Sequence, residues 1–212
     1  MAGTSLGMAA TAGLVMLPLA GAIAAFLFPR RAIPAISLAL SFVTAALVAL
    51  VAVAVLEHGP IRLPVGGWGA PLGIALRADG LAVLMLAVTA AVTGGVALYS
   101  SGYLGRDSDR PERYWPIFFF LWCGLNALFL TGDIFSAYVA LEIVSLAAVA
   151  LVALGGRTAS LVASLRYLLV ALVGSLTYLL GVALLYGATG TLDFELIAQR
   201  LTPGVAPGWR SH

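Results

Sequence analysis

Six apolar stretches dominate the chain, and they run over 9–28, 33–56, 79–101, 115–131, 134–154 and 161–187. About 20 apolar residues carry a helix across the hydrocarbon core of a bilayer. Inside lipid every backbone N–H and C=O has to be satisfied, which segments of this length achieve as helices. The only charges within them are Asp79 at the start of the third, Glu142 in the fifth and Arg166 in the sixth. The fold class expected is therefore an all-α polytopic membrane protein. Charge scarcity agrees: 11 basic and 9 acidic side chains make 9% of the residues, against about 25% in soluble domains. Ordinary soluble enzymes, disordered chains and nucleic-acid binders are excluded, the last for want of a basic face. A single cysteine, Cys123, excludes an internal disulfide, an iron–sulfur cluster and a thiolate metal site. The only histidines are His58, in a link, and His212, at the terminus. No GxGxxG, P-loop, HExxH or CxxC pattern occurs, so no metal and no cofactor is expected.

The links carry the punctuation. Residues 1–8 lack the basic side chain of a secretory signal, whereas Arg30 and Arg31 follow the first stretch, so that stretch reads as a retained helix. Between Glu57 and Ala78, Ile61, Leu63 and Val65 alternate with other residues, and Gly66-Gly67-Trp68-Gly69 precedes a short run to Arg77. This reads either as a small external β-hairpin or as an irregular loop. The 102–114 link is rich in charge and solvated, and Gly155-Gly156-Arg157-Thr158 is a short turn. Asp193, Glu195 and Arg200 sit on a short amphipathic piece. A transmembrane domain over 1–195 and a tail over 196–212 follow. Arg is in slight excess in the links that would be cytoplasmic with the N-terminus outside, and the 102–114 link favours that orientation.

Glu142 lies near the middle of its span. A charged acid at that depth costs about 2.5–3.5 kcal/mol on insertion scales. Such a residue marks an ion or proton route, or else is a neutral acid making one interhelical hydrogen bond. Arg166 sits five residues into the sixth span, about 12 Å along the helix axis from the Glu142 level. It is either a snorkelling anchor or a charge coupled to Glu142 through water. Asp133 and Asp79 stand where an acid caps a helix N-terminus, and both would also line an outer vestibule. Gly174, Thr177 and Gly181 recur at three and four residues, a small face suited to close helix packing, with Ser175 and Tyr178 adding hydrogen-bonding groups. Trp68, Tyr114 and Trp115 fall where interfacial aromatics are expected.

Three runs then line up in order. They are Arg77-Ala78-Asp79-Gly80-Leu81, Gly132-Asp133-Ile134-Phe135-Ser136-Ala137-Tyr138 leading to Glu142, and Arg166-Tyr167 leading to Gly174-Ser175 and on to Leu192. Together they resemble the antiporter-like subunits shared by respiratory complex I, Mrp-type Na⁺/H⁺ antiporters (their D-type member above all) and membrane-bound hydrogenases. The resemblance covers most of 75–195. It implies a proton- or cation-translocating role with Glu142 as the protonatable acid, and with Asp79, Asp133 and Arg166 at pathway positions. It also implies partner membrane subunits, protons and Na⁺ as the ions handled, and a bacterial cytoplasmic membrane. Any NADH:quinone oxidoreductase or hydrogenase activity would belong to the assembly, since no redox centre can be built here. Two departures matter. Arg166 stands where the family has Lys, and a guanidinium holds charge without releasing a proton. The chain has no Lys, and the family's lysine-bearing broken helix would fall after residue 212. The chain is then either a translocating module completed by another chain or a non-conducting scaffold. In either case the fifth and sixth spans are expected to present a face to a partner.

Overall fold

The computed structural model describes residues 2–29, 31–67, 73–107 and 111–201. Trp68, Ser108 and the tail from 202 lie outside the described residues, as do the side chains of 103–112 in the charged link. The helices are α1 (Ala2–Leu27), α2 (Ile33–His58), α3 (Gly80–Asp107), α4 (Pro111–Leu130), α5 (Ile134–Ala153), α6 (Thr158–Thr189) and α7 (Phe194–Leu201). Strands β1 (Ile61–Pro64) and β2 (Ala75–Ala78) lie between α2 and α3. The first six helices are long and apolar enough to cross a membrane, as the sequence predicts. α1 starts seven residues before its apolar stretch because nothing in 2–8 is charged or proline. α6, at 32 residues, is about 48 Å long and outruns a core of about 30 Å. The amphipathic piece is α7, which crosses the expected 195/196 division.

α1 packs between α2 and α4, α2 against α3, α4 against α5, and α5 against α6. Two apolar clusters fill the α1–α4 bundle. Leu14, Val51, Leu86 and Leu130 form one, with Ile61 and Ala78 of the strands. Ala22, Ile33, Ala97, Phe119 and Trp122 form the other, toward the opposite end. Gly21 sets the approach of α1: a Cβ there would lie 2.6 Å from Leu40 Cδ1 and 3.1 Å from Phe119 Cδ1. Pro18, fully buried within α1, has no N–H to offer the carbonyl of Leu14. Asn126 of α4 replaces it, its Nδ2 donating to Leu14 O at 2.7 Å. The Trp115 ring turns inward. It is buried against Tyr114, Phe118 and Phe119, while Tyr114 and Ser100 share a hydroxyl–hydroxyl bond of 2.7 Å.

The 57–78 link resolves as the hairpin. β1 pairs antiparallel with β2, Ile61 opposite Ala78 and Arg62 opposite Arg77. Like charges placed opposite one another destabilise a sheet. Here Glu195 of α7 takes both, with Oε2 2.9 Å from Arg62 Nη1 and Oε1 2.8 Å from Arg77 Nη1. Arg62 also pairs with Asp193, and Arg77 Nε lies 3.6 Å from Asp79 Oδ2. The hairpin, the α4–α5 connection and α7 thus share one end of the bundle, the end at which α1 begins. The turns before α2 and between α5 and α6 lie at the other.

Candidate intramembrane polar site

α5 starts where Asp133 adopts an extended conformation, φ −138° and ψ 153°, and its Oδ1 accepts from the Ser136 N–H at 2.6 Å. Asp79 does the same for α3, accepting from the Ala82 N–H at 2.9 Å. Both aspartates are therefore caps. Asp133 has a counterpart that the spacing alone did not expose. Thr131-Gly132-Asp133 and Thr191-Leu192-Asp193 enter α5 and α7 in the same way, each threonine Oγ1 accepting from the aspartate N–H, at 3.4 and 3.3 Å. The two aspartates face each other in an antiparallel bridge, tied by Ile134 N–H to Leu192 O at 2.9 Å and Phe194 N–H to Gly132 O at 3.2 Å. Their outer oxygens differ. Asp193 Oδ2 is held by Arg62, whereas Asp133 Oδ2 is buried without a hydrogen-bond partner, on a residue only 6% exposed.

Glu142 is the ninth of the 20 residues of α5. Ala137, Ala140 and Ala147 are buried, on the side where Gly124 of α4 lets Ile143 and Val144 approach closely. Helical spacing puts Tyr138 and Glu142, four residues apart, together on the opposite side. The Tyr138 ring stacks on Tyr178 of α6, centroids 6.2 Å apart and planes at 16°. The Tyr178 hydroxyl donates to Ile134 O at 3.2 Å. Glu142 is partly buried one turn beyond this pair, and no described residue makes a hydrogen bond or ion pair with it. Arg166 is exposed on α6 and is not brought to Glu142. Because Tyr138 is level with Tyr178 and the helices are antiparallel, Arg166 sits about 12 Å along the axis from the glutamate. The face of Gly174, Thr177 and Gly181 is open. A Cβ at either glycine would meet nothing within 4 Å, and Thr177 Oγ1 donates to its own helix, at Val173 O, 2.8 Å away. Among the described residues no group of His, Cys, Asp and Glu is placed to hold a metal. The tyrosine pair, and the pairing of the Asp133 cap with a second one at Asp193, were missed in the sequence. The only signals for them are Tyr138 one turn before Glu142 and the repeated Thr-x-Asp.

Six apolar helices, an external hairpin and an acid midway along the fifth helix define an integral membrane protein of the polytopic helical class. The family model described as "NADH:quinone oxidoreductase/Mrp antiporter, TM" matches residues 131–209. The model described as "NADH-Ubiquinone oxidoreductase (complex I), chain 5 N-terminus" matches 65–114. The chain belongs to the antiporter-like family of membrane subunits that Mrp antiporters and NADH-quinone oxidoreductases share. It is 37% identical over 151 residues to the D-type component of the Na(+)/H(+) antiporter of Alkalihalophilus pseudofirmus, a match covering 71% of this chain and 30% of that protein. It is 38% identical over 196 residues to the NADH-quinone oxidoreductase subunit N of Desulforudis audaxviator, covering 90% and 39%. Among solved structures, a chain of the membrane-bound sulfane sulfur reductase, an archaeal respiratory membrane complex, superposes with a TM-score of 0.80 at 31% identity. That superposition covers 89% of this chain and 39% of the other. The chain thus spans 29–39% of the length of the curated relatives it matches.

Proposed function

We propose that the chain is the membrane module of a proton- or cation-translocating assembly of the Mrp or NADH-quinone oxidoreductase type, working alongside other membrane subunits. In this reading Glu142 is the group that takes up and releases the translocated charge. The observation that carries it is Glu142 itself: an acid midway along a span, turned away from α4, partly buried and without a partner among the described residues. An unpaired acid at that depth is expensive when charged and tolerable when neutral. The names of the relatives, one from a Na(+)/H(+) antiporter and one from an NADH-quinone oxidoreductase, fit such a task. Asp79 and Asp133 stand at the hairpin end of this route, and Arg166 holds fixed charge toward the other end. The membrane is the bacterial cytoplasmic one, with the hairpin outside.

A second reading, a scaffold that conducts nothing, draws on the absence of any Lys to act as a releasable cation beside Glu142. The assembly reconstituted in liposomes separates the two. Glu142→Gln keeps shape but cannot ionise. It is expected to abolish most ion flux at unchanged assembly, with Arg166→Ala costing less. Unchanged flux would establish the scaffold. The chain reconstituted alone is expected to show no flux above empty liposomes.

A further inference from the structure

Three buried threonines of the α1–α4 bundle spend their hydroxyl protons on their own helix. Thr11 donates to Gly7 O at 2.8 Å, Thr89 to Met85 O at 2.8 Å and Thr93 to Thr89 O at 2.7 Å. Thr44 of α2 does not. Its Oγ1 has no hydrogen-bond partner among the described residues, and neither has the indole Nε1 of Trp122 on α4. Both residues are only 1% exposed. A buried polar group left unanswered carries the whole of its desolvation cost. The register sets these two groups at one level. A Cβ on Gly21 of α1 would touch both Leu40 of α2 and Phe119 of α4, and α2 and α4 both run toward the hairpin end. Thr44 lies four residues beyond Leu40 and Trp122 three beyond Phe119, lifts of about 6 and 4.5 Å from that common level. On α3, which runs the other way, a Cβ on Gly94 would lie 3.8 Å from Ser41 Cβ. Thr44 therefore falls between the levels of Thr89 and Thr93, both buried. α1 passes at Pro18 and has nothing to offer: Leu14 O is taken by Asn126, and Val15 O by Cys123 Sγ at 3.4 Å.

We propose that the interior of the α1–α4 bundle binds a water molecule shared by Thr44 and Trp122, with Thr89 or Thr93 as a further acceptor. The donor set selects water. An indole N–H only donates, so the ligand has to accept from Trp122. The Thr89 and Thr93 oxygens, their protons already spent, can only accept, so the ligand also donates. The Thr44 hydroxyl serves in either sense. No charged side chain occurs in the middle of any of these four helices, and an ion there would stay unpaired at great cost. Apolar walls bound the site along the axis. Leu14, Val51, Leu86 and Leu130 close it toward the hairpin, and Ala22, Ala97 and Phe119 toward the other end. A water held by two to four polar partners is part of a fold and costly to remove. This one ties α2 to α4 across the bundle, as Asn126 ties α4 to α1.

The test uses the purified chain in detergent. Thr44→Val keeps the shape of the side chain and removes the hydroxyl. It is expected to lower the folded-to-unfolded ratio about tenfold in denaturant titration, because a water then loses a partner. Deleting a dry, unanswered hydroxyl would instead leave the ratio unchanged or raise it, and that result overturns the proposal. Trp122→Phe removes the N–H together with some volume, so the double variant is needed. Two groups that share one water should together lose about tenfold less than the product of their separate losses. Independent losses would mean that no ligand is shared. Nuclear magnetic resonance of the chain, ¹⁵N-labelled on tryptophan, identifies the ligand. A cross-peak from a long-lived water to the Trp122 indole proton is expected, and Thr44→Val should weaken or abolish it. Coupling without the cross-peak would make the contact a direct Thr44–Trp122 bond and overturn the water. Should Trp122→Phe fail to fold, the cross-peak and its response to Thr44→Val decide.

Discussion

The α1–α4 bundle and the α5–α6 pair are built of similarly apolar helices but use them differently. In α4 half of the membrane-spanning window is buried within the chain, in α6 only 6%. The bundle is closed around α1: its Gly7, Gly13 and Gly21 are filled against neighbours, a proline-freed carbonyl is answered by a side chain, and two apolar clusters close its ends. The pair is unfinished. Leu169, Val173, Leu180 and Leu184 of α6 are each more than half exposed, and the two glycines beside them face open space. Lipid tails cover such a surface nearly as well as protein, because there is little hydrophobic driving force between helices inside a bilayer. Packing detail, rather than apolarity, therefore distinguishes a helix that completes a fold from one that awaits neighbours.

Three measurements would break or sharpen this contrast. Trp122→Ala removes one of the largest fully buried side chains and is expected to lower stability by about 3–5 kcal/mol. Leu180→Ala, at a position 60% exposed, should stay within about 0.5 kcal/mol. Denaturant unfolding of the purified chain in detergent reads both, and comparable losses would end the distinction. Next in size is Asn126→Leu, which leaves the Leu14 carbonyl buried and unanswered, at a cost of about 1–3 kcal/mol. Adding Pro18→Ala restores a backbone N–H to that carbonyl and should recover much of the loss. A double-mutant cycle without coupling would show that Asn126 acts in some other way. The smallest effect is expected from Gly174→Leu, under about 0.5 kcal/mol in the isolated chain, since a side chain there meets nothing. The same variant should sharply reduce co-purification of partner subunits. Undiminished co-purification would place the partner on another face of α6.

The spans were legible because length and apolarity alone specify a crossing helix. The caps were legible too, since Asp79 and Asp133 each precede an apolar run, the place where a short acid accepts from the first free N–H groups of a helix. The hairpin was readable only as one of two options: alternation over so few residues does not separate a strand from a loop. What decides it is tertiary, the burial of Ile61, Ala75 and Ala78 on the bundle. For Trp115 the sequence position marks depth but not direction, and that its ring turns inward among other aromatic rings is visible only in the fold. Asn126 carries no local signal at all. Its purpose exists only through Pro18, more than a hundred residues away, and nothing in α4 announces it. Glu142 stood out from composition alone, but the tyrosines beside it did so only once α6 was laid against α5.

The clasp that binds Arg62 to Asp193 and Glu195 joins residues 131 and 133 positions apart. At ribosomal rates of about 5–20 residues per second, some 7–26 s separate the synthesis of the two sides. During that interval four further helices have to be threaded into the membrane, and the hairpin waits with two arginines face to face. Asp79 answers Arg77 at once, but the shared acid that holds both arginines comes only when α7 emerges on the same side of the bilayer, as it does when every intervening helix has crossed once and in the right sense. The clasp thereby distinguishes a fully threaded chain from one that has skipped a crossing. A nascent chain missing any single span would strand those acids on the opposite side and leave the arginine pair without Glu195.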